Sequence, residues 1–206
     1  MKTKRKYTKF FVFFSKKIQK NELIYRFIRN YSRAGNTLVG RVYIRQATTV
    51  IGFFKLNLFK NSLMLAGFIV NESKNRFGTN LRYKALSGHD IFQKMAEEHK
   101  LDISEMVEIC SIFRRQGLPK WFSYYLFYCS LKEALKSNKK IIIGGAIVPG
   151  VVRIYRLIFD DFFNVENIKL DGHNQPQHLY MFYLKREDVY KRFFLAIYQK
   201  IKTKLF

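Results

Sequence analysis

Residues Met106 to Phe159 read MVEICSIF, RRQGLPK, WFSYYLFYCSLKEALKSN, KKIIIGGAIV and PGVVRIYRLIF, and this stretch decides the fold. The first run is apolar and strand-length, the second a basic turn with one glycine, the third an aromatic helix pattern. The fourth, apolar from Ile141 to Val148, has the character of an interior parallel strand covered on both faces. Pro149-Gly150 then stops the strand and opens another helix. Strand, helix, strand and helix in this order describe parallel strands joined by a right-handed crossover. The turn after the first strand is where a phosphate-bearing ligand is expected, because the first N–H groups of the following helix lack internal partners and point outward. Within that helix Trp121, Tyr124, Tyr125, Tyr128, Leu131 and Leu135 recur at three- and four-residue spacing, which predicts a face packed against the sheet. Pro119 suits the first helical turn, where its missing N–H would have had no partner.

Upstream, LVGRVYIRQATTVIGFFKLNLF from Leu38 and SLMLAGFIV up to Val70, divided by the polar turn Lys60-Asn61, read as consecutive antiparallel strands. Asn71 to Arg82 is polar and loop-like. Ser87 or Asp90 is placed to cap a helix through Ile91 and Met95 that ends near His99. Downstream from Asn164, NVENIKL, DGHNQPQ and HLYMFYL read as a hairpin, or as a pair of strands separated by a longer loop. The chain starts with no acidic residue before Glu22, and Phe10, Phe13, Phe14, Ile18, Ile24, Phe27 and Ile28 approximate a helix stripe, to be packed over the sheet or laid on anionic lipid. Ala34-Gly35-Asn36 breaks that pattern. The end of the chain carries Val189, Phe193, Phe194, Ile197, Ile201 and Leu205 on one helical face. The expected organisation is a basic amphipathic helical segment over 1–36, one domain over 37–184 and a basic amphipathic helix over 185–206.

With 206 residues and 48% hydrophobic content, the chain has enough apolar material for a sizeable core. Thirty-eight Lys and Arg against fifteen Asp and Glu give a formal charge of +23, so an anionic partner is expected. Nucleic acid, an acidic membrane face, a phosphorylated cofactor and an acidic carrier protein all meet that condition. No helix-turn-helix, zinc-finger or RNA-recognition signature supports nucleic acid beyond charge. Cys110 and Cys129 stand alone, without CxxC or Cys/His spacing, which argues against a disulfide scaffold or a metal site and for a reducing cytoplasm. The apolar run Phe10 to Phe14 ends at Ser15-Lys16-Lys17, and no stretch reaches the length of a membrane span. The expected location is cytoplasmic, with peripheral contact at the inner membrane face.

The whole order, early antiparallel strands, a Glu-bearing strand, a basic Gly turn, a helix, a parallel strand, a helix with Arg-x-Tyr and a closing hairpin, resembles the GNAT superfamily of N-acyltransferases over roughly residues 38–184. The resemblance implies an α/β (α+β) fold: a mixed, mostly antiparallel sheet with a central parallel strand pair, flanked by helices. Glu108-Ile109-Cys110-Ser111 followed by Arg114 and Arg115 is most similar to the acyl-carrier-dependent branch, the N-acyl amino acid and acyl-homoserine lactone synthases. That implies transfer of a medium- or long-chain acyl group from acyl carrier protein or acyl-CoA to the amine of an amino acid or related small acceptor. The alternative is a basic binding protein for nucleic acid or anionic membrane.

The family's pyrophosphate loop, Arg/Gln-x-x-Gly-x-Gly/Ala, is matched by Arg114-Arg115-Gln116-Gly117-Leu118-Pro119 except that Pro119 replaces the second small residue. A proline adds no N–H to the cradle, so the resemblance favours the single phosphate of a carrier-linked phosphopantetheine over free coenzyme A. The resemblance implies a backbone N–H near Ser111, Ile112 and Phe113 as the holder of the oxyanion. The family's Tyr-x-x-Gly-Phe is matched by Tyr155-Arg156-Leu157-Ile158-Phe159 in Tyr and Phe but not Gly, which makes Tyr155 the candidate acid toward the departing thiol or, alternatively, a buried aromatic. A neutral amine requires a base, and Glu108, flanked by Val107 and Ile109, is the candidate; the alternative is a structural pair with Arg114 or Arg153. Cys110 reads as inert core. His89, His99, His173 and His178 are scattered through loops and edges.

Overall fold

The computed structural model describes residues 13–17, 21–33, 47–55, 63–168 and 175–196. The expectations placed on Phe10, on the strand pattern from Leu38 to Gln46, on the turns around Lys60 and His173, and on Ile197, Ile201 and Leu205 lie outside these residues. Among the described residues seven strands follow the order β1-β2-β3-β4-β5-β7-β6, with β1 Phe13–Lys17, β2 Thr49–Lys55, β3 Leu63–Glu72, β4 Met106–Arg114, β5 Ile141–Ala146, β6 Asp160–Ile168 and β7 Gln177–Lys185. The helices are α1 Asn21–Arg33, α2 Arg82–Ser87, α3 His89–Glu98, α4 Trp121–Ala134 and α5 Pro149–Tyr155, followed by α6 over residues 189–196. The sheet is mixed and mostly antiparallel, with one parallel strand pair.

The chain divides into two compact units, and β4 belongs to both: residues 1–71, 109–133 and 170–173 form the first, and 72–108, 134–169 and 174–206 the second. In the first, β1 pairs antiparallel with β2 and β2 with β3. Strand β1 corrects the expectation of a continuous helix stripe over the first 33 residues: Phe13–Lys17 is extended and edges the sheet, and only Asn21–Arg33 is helical. Phe27, Asn30 and Tyr31 share one face of α1 and are buried. Phe27 and Tyr31 meet Phe113 edge-on at 5.1 and 5.9 Å, over Gly67, where a Cβ would come within 2.6 Å of the Phe27 ring. Phe53 packs edge-on against Phe122 of α4 at 6.0 Å.

Of the face expected to pack, helix α4 buries Leu131 but not the four aromatic residues. Its buried residues are Phe122, Leu126, Phe127, Ser130, Leu131 and Ala134, whereas Trp121, Tyr124, Tyr125 and Tyr128 are exposed. Both faces carry apolar residues at helical spacing, so periodicity alone cannot choose between them.

In the second unit, β5 pairs antiparallel with β7, and β7 with β6. The hairpin starts at Asp160, four residues before the expected Asn164, because α5 ends at Tyr155 and the chain turns through residues 156–159. Asp160 is held at the start of β6 by both guanidinium nitrogens of Arg192 in α6, at 2.5 and 2.7 Å. Along α6, Val189 is buried but Phe194 is exposed, so the expected stripe does not bury as a unit. The expected helix ending near His99 is α3, and an unexpected short helix, α2, precedes it across Gly88, whose φ of 93° suits glycine. Neither Ser87 nor Asp90 caps α3: its N-cap is Gly88 with no side-chain bond, and the Ser87 hydroxyl donates back to the Tyr83 carbonyl.

Candidate active site

Strand β4 carries three features in succession. The first is Glu108, fully buried between Val107 and Ile109. One carboxylate oxygen accepts the Arg82 backbone N–H at 2.7 Å and the other accepts that of Tyr83 at 3.1 Å. These are the opening N–H groups of α2, whose preceding residue, Leu81, offers no side-chain cap; a residue 25 positions downstream of Tyr83 supplies it instead. The observed structural partners are thus backbone donors, in place of the expected Arg114 or Arg153. The Arg114 guanidinium donates to the Leu118 carbonyl at 2.9 Å, and Arg153 is exposed on α5. Burial penalises the charged carboxylate while hydrogen bonds from two N–H groups favour it and fix its orientation.

Three residues on, Ser111 has φ of 54°. A left-handed, buried, non-glycine residue inside a strand interrupts the extended backbone and re-aims the groups that follow, here those of Ile112 and Phe113. The third feature is the turn into α4. Gly117 has φ of 90°, a value open to glycine. Arg115 is anchored through its N–H to the Leu65 carbonyl at 2.8 Å, and its guanidinium donates to the Asn30 side-chain oxygen from Nε at 3.3 Å and Nη2 at 2.9 Å. Gln116, Gly117 and Lys120 are exposed, and among the described residues no backbone carbonyl accepts their N–H groups. The Pro119 carbonyl accepts the Phe122 N–H at 3.0 Å, so the proline sits just before the helix.

On β5 two glycines follow each other, and the pleat turns them to opposite faces. At Gly144 an added Cβ would lie 2.2 Å from the Tyr155 ring and 2.7 Å from its hydroxyl oxygen. Tyr155 is buried, stacked on Phe182 at 5.1 Å and 4° and edge-on to Phe159 at 5.1 Å. At Gly145 an added Cβ would meet the Tyr83 ring at 2.7 Å, and the Tyr83 hydroxyl donates to the Gly145 carbonyl at 2.9 Å. Sequence reasoning missed Tyr83. It lies in no motif, and its partners are 25 and 62 positions away.

The remaining candidates lie apart from these contacts. Cys110 is buried; Cys129 is half-buried, and burial pushes its thiol up. His99 packs edge-on against Phe162 and Tyr183, His178 stacks on Tyr180 at 4.2 Å, and His89 starts α3. Among the described residues no helix is long and apolar enough to cross a membrane.

The strand order, the parallel pair and the helices between define the GNAT fold. Among solved structures the chain is similar to FeeM, an N-acyl amino acid synthase from uncultured soil microbes, with a TM-score of 0.66 and 12% identity over 92% of this chain and 99% of that one. It is also similar to an N-acetyltransferase from Staphylococcus aureus, with a TM-score of 0.54 and 12% identity over 85% of this chain and 99% of that one. A ribosomal-protein-alanine N-acetyltransferase from Escherichia coli aligns with a TM-score of 0.54 and 9% identity over 84% of this chain and 94% of that one. No protein-family model and no curated protein sequence matches the chain.

Proposed function

We propose that the protein is an N-acyltransferase moving a medium- or long-chain acyl group from a phosphopantetheine thioester to the amine of an amino acid or related small acceptor. The observation that carries this reading is the order of features along β4: a buried, oriented carboxylate at Glu108, a left-handed backbone at Ser111, and the Gly117 turn opening α4. The likeness of the fold to acyl- and acetyltransferases supports it.

In this reading the donor phosphate lies on the N–H groups of Gln116 and Gly117, in the positive field of Arg114 and Arg115. Pro119 shortens the cradle, which favours acyl carrier protein over coenzyme A as the donor. A chain charge of +23 suits an acidic carrier. The pantetheine arm follows Ser111, Ile112 and Phe113, and a backbone N–H of this segment holds the thioester oxygen as it gains negative charge. Glu108 takes the amine proton, directly or through water, with the carboxylate oriented by α2 as a catalytic base is by a third group. The amine nitrogen bonds to the acyl carbon, the C–S bond breaks, and the departing thiolate takes a proton from Tyr155, which regains one from solvent as Glu108 gives up its own. Amide and thiol are the products. The chemistry needs no metal, and the cytoplasm is the proposed home.

The test supplies purified protein with carrier and coenzyme A thioesters of several chain lengths and a pool of amino acids, and follows thiol release and amide mass. Release of thiol without amide, or neither, overturns the reading. Glu108→Gln separates catalysis from structure. A base role predicts a fall in kcat of about 100-fold or more, beyond what the folded fraction explains, while loss of one acceptor from the cap costs about 1–3 kcal/mol in denaturant unfolding. An activity loss equal to the loss of folded protein assigns Glu108 to the cap alone.

A further inference from the structure

The outer face of α4 takes no part in the acyl transfer proposed above. At about 100° per residue, Trp121, Tyr124, Tyr125, Tyr128 and Lys132 fall on one stripe of the helix. The four rings are 55%, 41%, 37% and 44% exposed, while the opposite face is buried. A helix that is apolar on both sides belongs in a core or against lipid, and this one is half outside. Trp and Tyr are the side chains that settle at a membrane–water boundary, with the ring among the acyl chains and the N–H or O–H toward the headgroups. Lys132 stands within the stripe and Lys120 at its start, both exposed, and no carboxylate shares it, since Glu133 lies on the flank.

We propose that this stripe is an interfacial docking face for an anionic lipid surface. The contact lies in the membrane plane, because the 14 residues of α4 are too few to span a bilayer. Charge complementarity selects the lipid: the chain carries +23, and a leaflet rich in acidic headgroups attracts it before the rings insert. An acidic protein would be matched by cations along the stripe, where four rings stand instead. Docking here would bring the fold to the surface where amphiphilic molecules partition, yet it does not depend on the acyl-transfer reading and is measured without turnover.

Trp121 is the only tryptophan in the chain, so its emission reports on the stripe itself. The experiment mixes the full chain with vesicles of phosphatidylcholine containing about one-third phosphatidylglycerol and with vesicles of phosphatidylcholine alone. The expected result is a blue shift and quenching by brominated acyl chains on the anionic vesicles, both reduced by added salt. Tyr124→Ser with Tyr128→Ser should weaken binding roughly tenfold through lost apolar burial, and Lys132→Glu by at least about fivefold. Circular dichroism and melting establish that the variants fold, and the exposed Lys132→Glu keeps the test open if the serine pair does not. Vesicle binding with unchanged Trp121 emission overturns the proposal. So does a Trp121 response to an acidic carrier protein but not to vesicles, or wild-type affinity in the folded variants.

Discussion

Tyr83 and Tyr155 fill slots left by adjacent glycines of β5, yet they are held in different ways. Tyr155 is packed on three sides, with Gly144 under its ring, Phe182 stacked on it and Phe159 at its edge. Tyr83 is tethered by polar bonds at both ends: its N–H to Glu108 and its hydroxyl to the Gly145 carbonyl. A packed ring has nowhere to go when its slot closes. A tethered ring loses a bond but can shift. The contrast identifies the β5 glycine pair as the point where two different kinds of constraint reach one strand.

The largest effect expected from this comparison is at Gly144. Gly144→Ala places a methyl 2.2 Å from a ring that Phe182 and Phe159 hold in place, so unfolding in urea should show a loss of about 3 kcal/mol. Pairing it with Tyr155→Leu should recover part of that loss, since the two residues share one space. Simple additivity would show that the clash is relieved elsewhere. Gly145→Ala meets the Met181 sulfur at 2.8 Å and the Tyr83 ring at 2.7 Å. Methionine adapts easily, so about 1–2 kcal/mol is expected. Equal losses at the two glycines would break the comparison. Tyr83→Phe removes only the hydroxyl bond to Gly145 and should cost about 1 kcal/mol; a larger loss would mean that the tether organises more than its own contact.

The sequence shows the packed tyrosine and hides the tethered one for a physical reason. Tyr155 sits in a helix announced by Pro149-Gly150, and burial of such a residue follows from helical spacing. The environment of Tyr83 is made by residues far along the chain, and no local pattern encodes a strand carboxylate capping a distant helix. The same limit explains α4, where the pattern Trp121, Tyr124, Tyr125, Tyr128 and the pattern Phe122, Leu126, Phe127, Leu131 are both apolar and helical, and only the sheet decides which is covered. Strands β4 and β5 were legible because their apolar runs are short and bounded by Gly, Pro and charge. The left-handed backbone at Ser111 was not, since such a serine leaves no mark in composition. Phe13–Lys17 is a five-residue strand inside a stretch whose aromatic spacing also fits a helix, and pairing with β2 settles it.

The smallest expected effect lies beside Tyr83 and extends the contrast to a charged group. Lys84 is buried, its Nζ donates to the Phe77 carbonyl and lies 6.0 Å from the Phe92 ring centroid. Burial lowers its affinity for a proton below the ordinary value of 10.5, and Asp90 partly opposes this. Between the lowered folded value and 10.5 the unfolded chain therefore binds more protons than the folded one, so this group's contribution to stability rises with pH through that window. Below it both states are protonated and the contribution is flat. Other groups titrate in the same range, so the measurement is a difference: denaturant unfolding of wild type and Lys84→Met as pH approaches 10.5 from neutrality. Wild type should gain on the variant as pH rises. A constant difference would show that the buried ammonium is as well solvated by the Phe77 carbonyl and Asp90 as it is by water, and polar tethering at this end of α2 would then extend from Tyr83 to its neighbour.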